Sequence, residues 1–129
     1  MKELSVTSRV RTELIDITDA VARAAADAPP DAAFCLVFVP HTTAAVTINE
    51  NADPDVPRDI LAKLNAVFPQ KDAYRHSEGN SDAHIKASLI GPSVLVPLRN
   101  GRLALGQWQG IFFCEFDGPR RRQVWISTR

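Results

Sequence analysis

The sequence predicts an α+β fold, in which a mostly antiparallel β-sheet or sandwich carries two helices. Short β-branched or apolar runs bounded by turn residues recur along the chain, and two helix-like segments interrupt them. No internal repeat, linker or low-complexity tract divides the sequence. The 129 residues, 45% of them hydrophobic, are enough to bury one core. We therefore expect a single domain over residues 1–129.

The amino-terminal part predicts strands on either side of a short helix. Alternating apolar and polar residues over 4–17 are typical of one or two strands. Thr18 or Asp19 can cap an alanine-rich helix that extends to Ala28, where two prolines end it. The continuous apolar run 34–39 then predicts a strand that is covered on both faces.

The central part predicts one more strand and the second helix. Residues 42–48 are β-branched and extended. The helix begins near 53–55, and Pro69 closes it. Its apolar residues recur at helical spacing, at Val56, Ile60, Leu64 and Val67.

The carboxy-terminal part predicts a β-meander. Asn100-Gly101 is a strong hairpin signal because both residues tolerate positive φ. The predicted strands lie at about 85–90, 93–98, 103–105, 110–116 and 123–126.

The charge balance limits the classes of partner. Fifteen basic and fifteen acidic residues give a formal net charge of zero, which offers no general attraction to nucleic acid or to an anionic membrane surface. Zero net charge also disfavours solubility in a lone small protein, so an oligomer that hides part of its surface is favoured. A membrane span needs about 20 consecutive apolar residues, and no segment approaches that length. The first residues also lack the long apolar stretch of a signal peptide. We expect a cytoplasmic protein.

Both cysteines, Cys35 and Cys114, lie in apolar runs and outside any CxxC pair. Buried free thiols are therefore expected.

Two of the three histidines are separated by a segment that can fold back on itself. Seven residues lie between His76 and His84, and they include Gly79 and Asn80. Imidazole is the commonest protein ligand of metals, and a catalytic zinc needs three protein ligands and an open position. The spacing matches no standard zinc pattern, so these side chains could instead be ordinary histidines hydrogen-bonded to nearby carbonyls.

His41 follows a predicted buried strand and is the obvious third nitrogen donor. An oxygen ligand could come instead from one of three carboxylates, Glu50, Asp82 or Glu115.

The arginine run after the Gly118-Pro119 turn could hold a phosphate, because guanidinium binds phosphate through two parallel hydrogen bonds. Strand alternation would put Arg120 and Arg122 on one face and Arg121 on the other. The alternative is a solvated strand edge whose charges discourage aggregation. Thr42, Thr43 and Asn80 could add hydroxyl and amide donors, although each is equally at home in an ordinary turn. The amides of Gln107 and Gln109 could recognise polar ring atoms of a substrate.

Several of these segments together resemble the YjbQ-like family, which is described as a secondary thiamine-phosphate synthase family. The resemblance runs in order from about residue 34 to the carboxy terminus. Its segments are 41–44 (HTTA), 48–53 (INENAD), His76 with 79–80 (GN), 83–89 (AHIKASL), 101–111 (GRLALGQWQGI) and 115–120 (EFDGPR).

The resemblance implies a homotrimer with a polar pocket able to bind metal. It also implies that a hydroxymethylpyrimidine diphosphate is joined to a thiazole phosphate with release of pyrophosphate. The family commonly has Gly-Thr-Trp-Gln where this chain has Gly106-Gln107-Trp108-Gln109, which favours Gln109 over Gln107 as a contact residue.

With the family in view, we expect a divalent metal, zinc or magnesium, held by His41, His76 and His84. Departure of diphosphate needs a cation and strong donors at the leaving oxygens, and a carboxylate or imidazole to handle protons. The expected catalytic residues are His41, Glu50 and His84. The residues expected to bind the phosphorylated substrate are Thr42, Thr43, Asn49, Asn80, Gln109, Arg120 and Arg122.

Two other functions fit the same residues. One is a trimeric metal-binding or small-molecule-binding protein without dedicated catalysis. The other is a metal-assisted hydrolase, because three histidines and a nearby carboxylate would also activate water.

Overall fold

Eight strands and three helices form the structure, a computed structural model that describes residues 1–129. The predicted α+β class is confirmed, with one helix more than expected. In chain order the elements are β1 (Lys2–Thr7), β2 (Glu13–Asp16), α1 (Thr18–Ala25), β3 (Phe34–Phe38), β4 (Ala44–Glu50), α2 (Asp55–Val67), α3 (Ser81–Ile90), β5 (Ser93–Arg99), β6 (Arg102–Leu103), β7 (Gln109–Glu115) and β8 (Arg121–Thr128).

The strands form two sheets in which every pair is antiparallel. The larger sheet has the order β1-β8-β3-β5-β6, and the smaller has the order β2-β7-β4. The main core cluster joins inward side chains of both sheets, such as Val37 and Phe113, with Val21 of α1. Both sheets and α1 therefore share one core, and the loops at the strand ends carry the polar residues.

The strand β3 is covered on only one face, contrary to the prediction of burial on both. Cys35 and Val37 point into the core and are fully buried. Phe34, Leu36 and Phe38 alternate with them and lie on the outer face of the larger sheet, where Phe34 is 37% exposed. No element of the chain covers this face fully.

The segment 85–90 belongs to a helix, α3, and its prediction as a strand was wrong. Asp82 and Lys86 lie one helical turn apart and form a buried ion pair of 2.9 Å. Ala83 and Ala87 pack beside them against Phe116 and its neighbours in the second core cluster. Packing of small residues and a buried charge pair therefore outweighs the β-propensity of the apolar residues.

Most other local predictions are confirmed. The Asn100-Gly101 turn has φ of 52° and 71° at its two residues, as a type I′ hairpin requires. The helix α2 has nearly the predicted bounds, whereas α1 ends at Ala25 rather than Ala28. Both cysteines are free and buried. None of the helices is long and apolar enough to cross a membrane.

Candidate functional site

Two adjoining depressions on the surface share one side chain, that of His84. We call the pair the histidine trough. The first depression, of about 410 Å³, lies against the start of α3 and the loop before it. The second, of about 320 Å³, lies between α3 and the loop that precedes β4. The lining residues are Tyr74, Arg75, His76, Ser81, His84 and Ile85 in the first, and His41, Thr42, Ala44, His84, Ala87, Ser88 and Pro92 in the second.

The imidazoles of His76 and His84 face each other in the first depression. Their ring centroids are 5.5 Å apart, and the rings are nearly perpendicular at 86°. His76 comes from the loop, and α3 delivers His84 rather than the loop that was expected. The carboxylate of Glu78 lies 3.7 Å from Nε2 of His76 at the exposed edge. The structure thus brings these two histidines together.

His41 lies in the second depression, and one of its two ring nitrogens is already occupied. Its Nε2 accepts a hydrogen bond of 2.9 Å from the backbone N–H of Gln123. Burial, together with the positive charge of Arg122, lowers the pKa of His41, so the ring is neutral near pH 7. A neutral ring whose Nε2 accepts must carry its proton on Nδ1. His41 therefore offers a hydrogen-bond donor rather than a free lone pair.

This arrangement does not assemble the expected metal site within one chain. Nowhere do three or more histidine, cysteine or carboxylate side chains converge as metal ligands would. A catalytic zinc takes three protein ligands. His76 and His84 can supply two imidazoles, but the hydrogen bond from Gln123 removes His41 from the set.

Arg122 and Thr43, two expected phosphate ligands, are directed into the protein. The Arg122 side chain is only 4% exposed, and its Nη2 lies 2.6 Å from Oε2 of Glu115. The same nitrogen donates to the hydroxyl of Thr43 at 2.8 Å, while Ser8 donates to Glu115 at 2.7 Å. We call this group the Glu115 cluster. The Nε and Nη2 groups of Arg122 therefore donate to Glu115 and Thr43 inside the fold and do not face the trough.

The carboxyl of Glu115 remains charged despite its burial. Burial raises its pKa, but the hydrogen bonds from Arg122, Ser8 and the Asp117 N–H together lower the pKa below the ordinary value. The Arg122 charge acts in the same direction. The cluster therefore holds a fixed ion pair beside His41.

Arg120 and Asn80 share the carboxylate of Asp117. Nη2 of Arg120 lies 3.1 Å from Oδ2 of Asp117, and Nδ2 of Asn80 donates to the same oxygen at 2.9 Å. Half of the Arg120 side chain is exposed. Oδ1 of Asn80 is buried without a partner. The two residues form a small polar group near His41, whose pKa the Arg120 charge also lowers.

Glu50, Asn49 and Gln109 lie at the opposite end of the smaller sheet. Glu50 ends β4 and pairs with Gln109, whereas the second depression borders the start of that strand at Ala44. At the usual rise per residue, these ends are about 20 Å apart. The side chain of Gln109 caps the backbone N–H of Gly106 at 2.8 Å. One chain therefore does not bring Glu50 to the histidines.

Four trough residues lie outside the candidate residues and segments of the sequence analysis, namely Tyr74, Arg75, Ser81 and Pro92. Only Arg75, next to His76, had a usable signal, because an arginine beside a candidate ligand can pair with an anion. The buried pair of Asp82 and Lys86 was also missed, although its spacing of four residues is the ordinary signal of a helical ion pair.

The trough has a consistent electrostatic character. Its lining includes all three histidines and one arginine and has no aspartate or glutamate. The hydroxyls of Thr42 and Ser81 add neutral donors or acceptors. A surface of this kind suits an anionic ligand better than a bare cation.

Comparison with known proteins gives a consistent family relationship. Residues 2–129 match the protein family described as UPF0047 protein YjbQ-like. The UPF0047 protein YugU of Bacillus subtilis is 48% identical over 128 residues, covering 98% of this chain and 97% of that protein. A UPF0047 protein of Methanocaldococcus jannaschii is 49% identical and covers 91% of this chain and 85% of its own length. A Clostridium acetobutylicum crystal structure, described as an uncharacterized conserved protein of the YjbQ/UPF0047 family, is 51% identical with a TM-score of 0.97 over 100% of both chains.

These comparisons overturn the expected thiamine-phosphate synthase activity. The matched proteins bear the UPF0047 designation, and none of the names carries a synthase or any other activity. The site agrees, because Glu50 lies far from the histidines and the three-histidine metal set is not formed. The synthase prediction is therefore wrong.

Proposed function

We propose that this chain, which belongs to the UPF0047 YjbQ-like protein family, binds a small phosphorylated molecule in the histidine trough. One observation carries the proposal, namely a lining with three imidazoles and an arginine, where the Glu78 carboxylate lies only at the exposed edge. Phosphate oxygens accept hydrogen bonds strongly from guanidinium, imidazole N–H and hydroxyl donors. Each depression has the size of a typical small-molecule pocket, which is about 300–1,000 Å³.

The donors are distributed so that an elongated ligand can use both depressions. Arg75 and Ser81 line the first, and Thr42 and His41 line the second. His84 borders both. A phosphate near Arg75 therefore leaves the rest of the molecule free to extend past His84 towards His41.

A divalent metal joins this proposal as a co-ligand of the phosphorylated molecule. His76 and His84 can supply two imidazoles, and phosphate oxygens would complete the coordination. Zinc suits this mixed set, whereas magnesium prefers oxygen alone. We therefore expect zinc to bind strongly only in the presence of the phosphorylated molecule.

The proposed form in solution is a homotrimer that uses the outer face of the larger sheet. Phe34, Leu36, Phe38, Leu95 and Trp125 lie on this face, and Leu95 is 59% exposed. A contiguous apolar surface of this kind is typical of a protein interface. The net charge of zero also favours self-association.

The proposed location is the cytoplasm. Its support is the pair of buried free cysteines, since thiols persist in reducing compartments.

Ligand binding is tested by nuclear magnetic resonance of the histidine side chains during titration with inorganic phosphate, pyrophosphate and glycerol phosphate. We expect the resonances of His76 and His84 to shift, and affinity to fall at least about tenfold in Arg75→Ala and His84→Gln. Arg58→Ala is the matched control, because Arg58 is an exposed arginine of α2 whose ion pair with Asp55 lies outside the trough. Absence of any shift, or equal affinity in all variants, would refute the proposal.

The metal is tested by repeating the titration with zinc, with and without glycerol phosphate. We expect the phosphorylated molecule to strengthen zinc binding in the wild type and to have no such effect in His76→Gln. Equal zinc affinity with and without it would contradict the co-ligand role.

The assembly is tested by sedimentation equilibrium. We expect about three times the 14.2 kDa chain mass for the wild type and a smaller species for Leu95→Asp. Val67→Asp is the control, because Val67 is 53% exposed but lies on α2. A wild-type monomer would refute the trimer.

A further inference from the structure

A second polar depression lies beside α3 and is separate from the histidine trough. It has a volume of about 210 Å³, and no hydrophobic residue lines it. Three parts of the chain meet there: the segment between β1 and β2, the end of α2 with the turn after it, and α3. We call it the polar cleft. Its lining residues are Arg11, Thr12, Asn65, Gln70, Asp82 and Lys86.

We propose that the polar cleft is a binding site for a small oxyanion, such as phosphate, sulfate or a carboxylate. The first support is its charge. Arg11 forms two parallel hydrogen bonds of 3.0 and 2.9 Å with Asp82, and Lys86 forms a third of 2.9 Å. Two cations thus surround one carboxylate, and the group carries one positive charge in excess.

The excess charge is maintained at neutral pH. The hydrogen bond to Asp82 raises the pKa of Arg11. Burial raises the pKa of Asp82, but the bonds from Arg11 and Lys86 lower it more, so its carboxyl stays ionised. Lys86 is only 1% exposed, and a buried ammonium is costly unless anionic partners compensate it.

The second support is a surplus of hydrogen-bond donors. Both Asp82 oxygens accept from Arg11, and one of them also accepts from Lys86. Oδ1 of Asn65 accepts from Lys86 at 2.7 Å, and the Thr12 hydroxyl oxygen accepts from Asn65 at 3.1 Å. The carboxylate of Asp82 and the amide oxygen of Asn65 are therefore engaged, which leaves the Gln70 amide oxygen as a free acceptor in the lining.

Several donors remain without a protein partner. Arg11 uses two of its five N–H groups, and Lys86 uses two of its three. The Thr12 hydroxyl proton donates to no other group, and Gln70 spends one amide hydrogen on the Gly79 carbonyl. An oxyanion brings several acceptors and one or two negative charges, which is what this set of donors lacks.

The cleft and the trough lie on different sides of α3. Ser81, His84 and Ser88 border the trough, whereas Asp82 and Lys86 border the cleft. Successive helix residues are offset by about 100°, so these two sets project in different directions. A ligand in the trough therefore does not fill the cleft, and the two sites can be tested independently.

The test is a backbone-amide titration of the intact protein with phosphate, sulfate and acetate, at constant ionic strength adjusted with chloride. We expect amides around Thr12, Gln70 and Lys86 to shift with at least one oxyanion. In Arg11→Gln the remaining pair of Lys86 and Asp82 has no excess charge, so affinity should fall at least about tenfold. His84→Gln is the matched control, because it impairs the trough and should leave the cleft unchanged.

The outcomes distinguish an oxyanion-binding site from a charged cluster that only stabilises the fold. Failure of all three anions to shift these amides, or equal shifts in wild type and Arg11→Gln, would show that the cluster serves only to hold the fold. If Arg11→Gln does not fold, Thr12→Val replaces it, because it removes the free hydroxyl while keeping all the charges. Loss of the shift in His84→Gln would assign the anion to the trough and overturn a separate site.

Discussion

Two buried clusters each pair basic side chains with one carboxylate, but they differ in net charge and in how fully the protein encloses them. In the Glu115 cluster one arginine meets one carboxylate, and Thr43 and Ser8 complete the hydrogen bonds. Around Asp82 two cations meet one carboxylate, and the group opens into the polar cleft. The first cluster is neutral and enclosed, so folding alone explains it. The second has one surplus positive charge and several unbonded hydrogen-bond donors, so an anionic ligand is the simplest partner for that charge and those donors.

The positions of the clusters match this difference. The Glu115 cluster joins β7 to β8 and to the segments after β1 and before β4. The Asp82 cluster joins α3 to α2 and to the segment before β2. Helices at the edge can tolerate an unfilled cleft, whereas packed sheets cannot tolerate an unpaired charge.

The largest expected effect is that of Glu115→Gln. It leaves the buried Arg122 without its counter-charge, and removing one partner of a buried pair costs about 3–5 kcal/mol. Urea unfolding followed by circular dichroism measures the change in unfolding free energy. A loss below about 1 kcal/mol would mean that the cluster is not the closed unit described here.

The second expected effect separates the two clusters directly. Lys86→Met should cost less than Glu115→Gln, about 1–3 kcal/mol, because Arg11 still pairs with Asp82. Asp82→Asn should cost more than Lys86→Met, because it leaves two cations without a carboxylate. The same unfolding experiment measures both. If Lys86→Met lowers the unfolding free energy as much as Glu115→Gln does, then the Lys86 charge is not surplus to the pairing of Asp82. The two clusters would then not differ in charge balance.

The third expected effect is a loss of stability on acidification, in two ranges. The folded pKa of His41 lies below its unfolded value, so the unfolded chain binds the proton more readily and stability falls as the pH drops below about 6.5. The folded pKa values of Glu115 and Asp82 are also lowered. Their contribution is complete above about pH 5 and is lost as the pH falls through the folded pKa values.

Thermal unfolding across pH measures this profile in the wild type and in His41→Gln. The His41→Gln variant should not lose stability as the pH drops below about 6.5, but it should still lose stability in the acid range where Glu115 and Asp82 titrate. An unchanged upper range would show that His41 is not held neutral by its surroundings.

The smallest expected effect is that of Arg120→Ala, which removes a half-exposed ion pair with Asp117. Exposed pairs contribute about 0–1 kcal/mol, and urea unfolding should show a change in that range. A larger loss would make Arg120 part of the Glu115 cluster, and the contrast with Arg122 would disappear.

Local signals explain which parts of the fold were predictable. The Asn100-Gly101 turn and α2 follow from backbone preference and from apolar spacing within a few residues. The helix α3 was missed although Asp82 and Lys86 have the spacing of a helical ion pair, because much of its stability depends on Lys86 reaching Asn65, 21 residues away, and on alanines packing against Phe116. Contacts so distant in sequence leave no periodic signal.

The candidate site follows the same rule. His76 and His84 are close in sequence, so their approach could be inferred from the segment between them. The hydrogen bond that fixes the tautomer of His41 could not be inferred, because its donor is a backbone N–H that lies 82 residues further along the chain. Arg122 was expected to face a ligand because strand alternation does not reveal which face is buried.

The free cysteines described with the fold make each half of the core separately observable. Cys35 belongs to the main core cluster in the larger sheet, and Cys114 belongs to the second cluster in the smaller sheet. Burial raises the pKa of both thiols, that of Cys114 to about 12, so neither reacts with an alkylating reagent while its sheet is closed. The labelling rate of each thiol therefore measures how often its own sheet opens. Equal rates would indicate one cooperative unit, and unequal rates would reveal which sheet opens first.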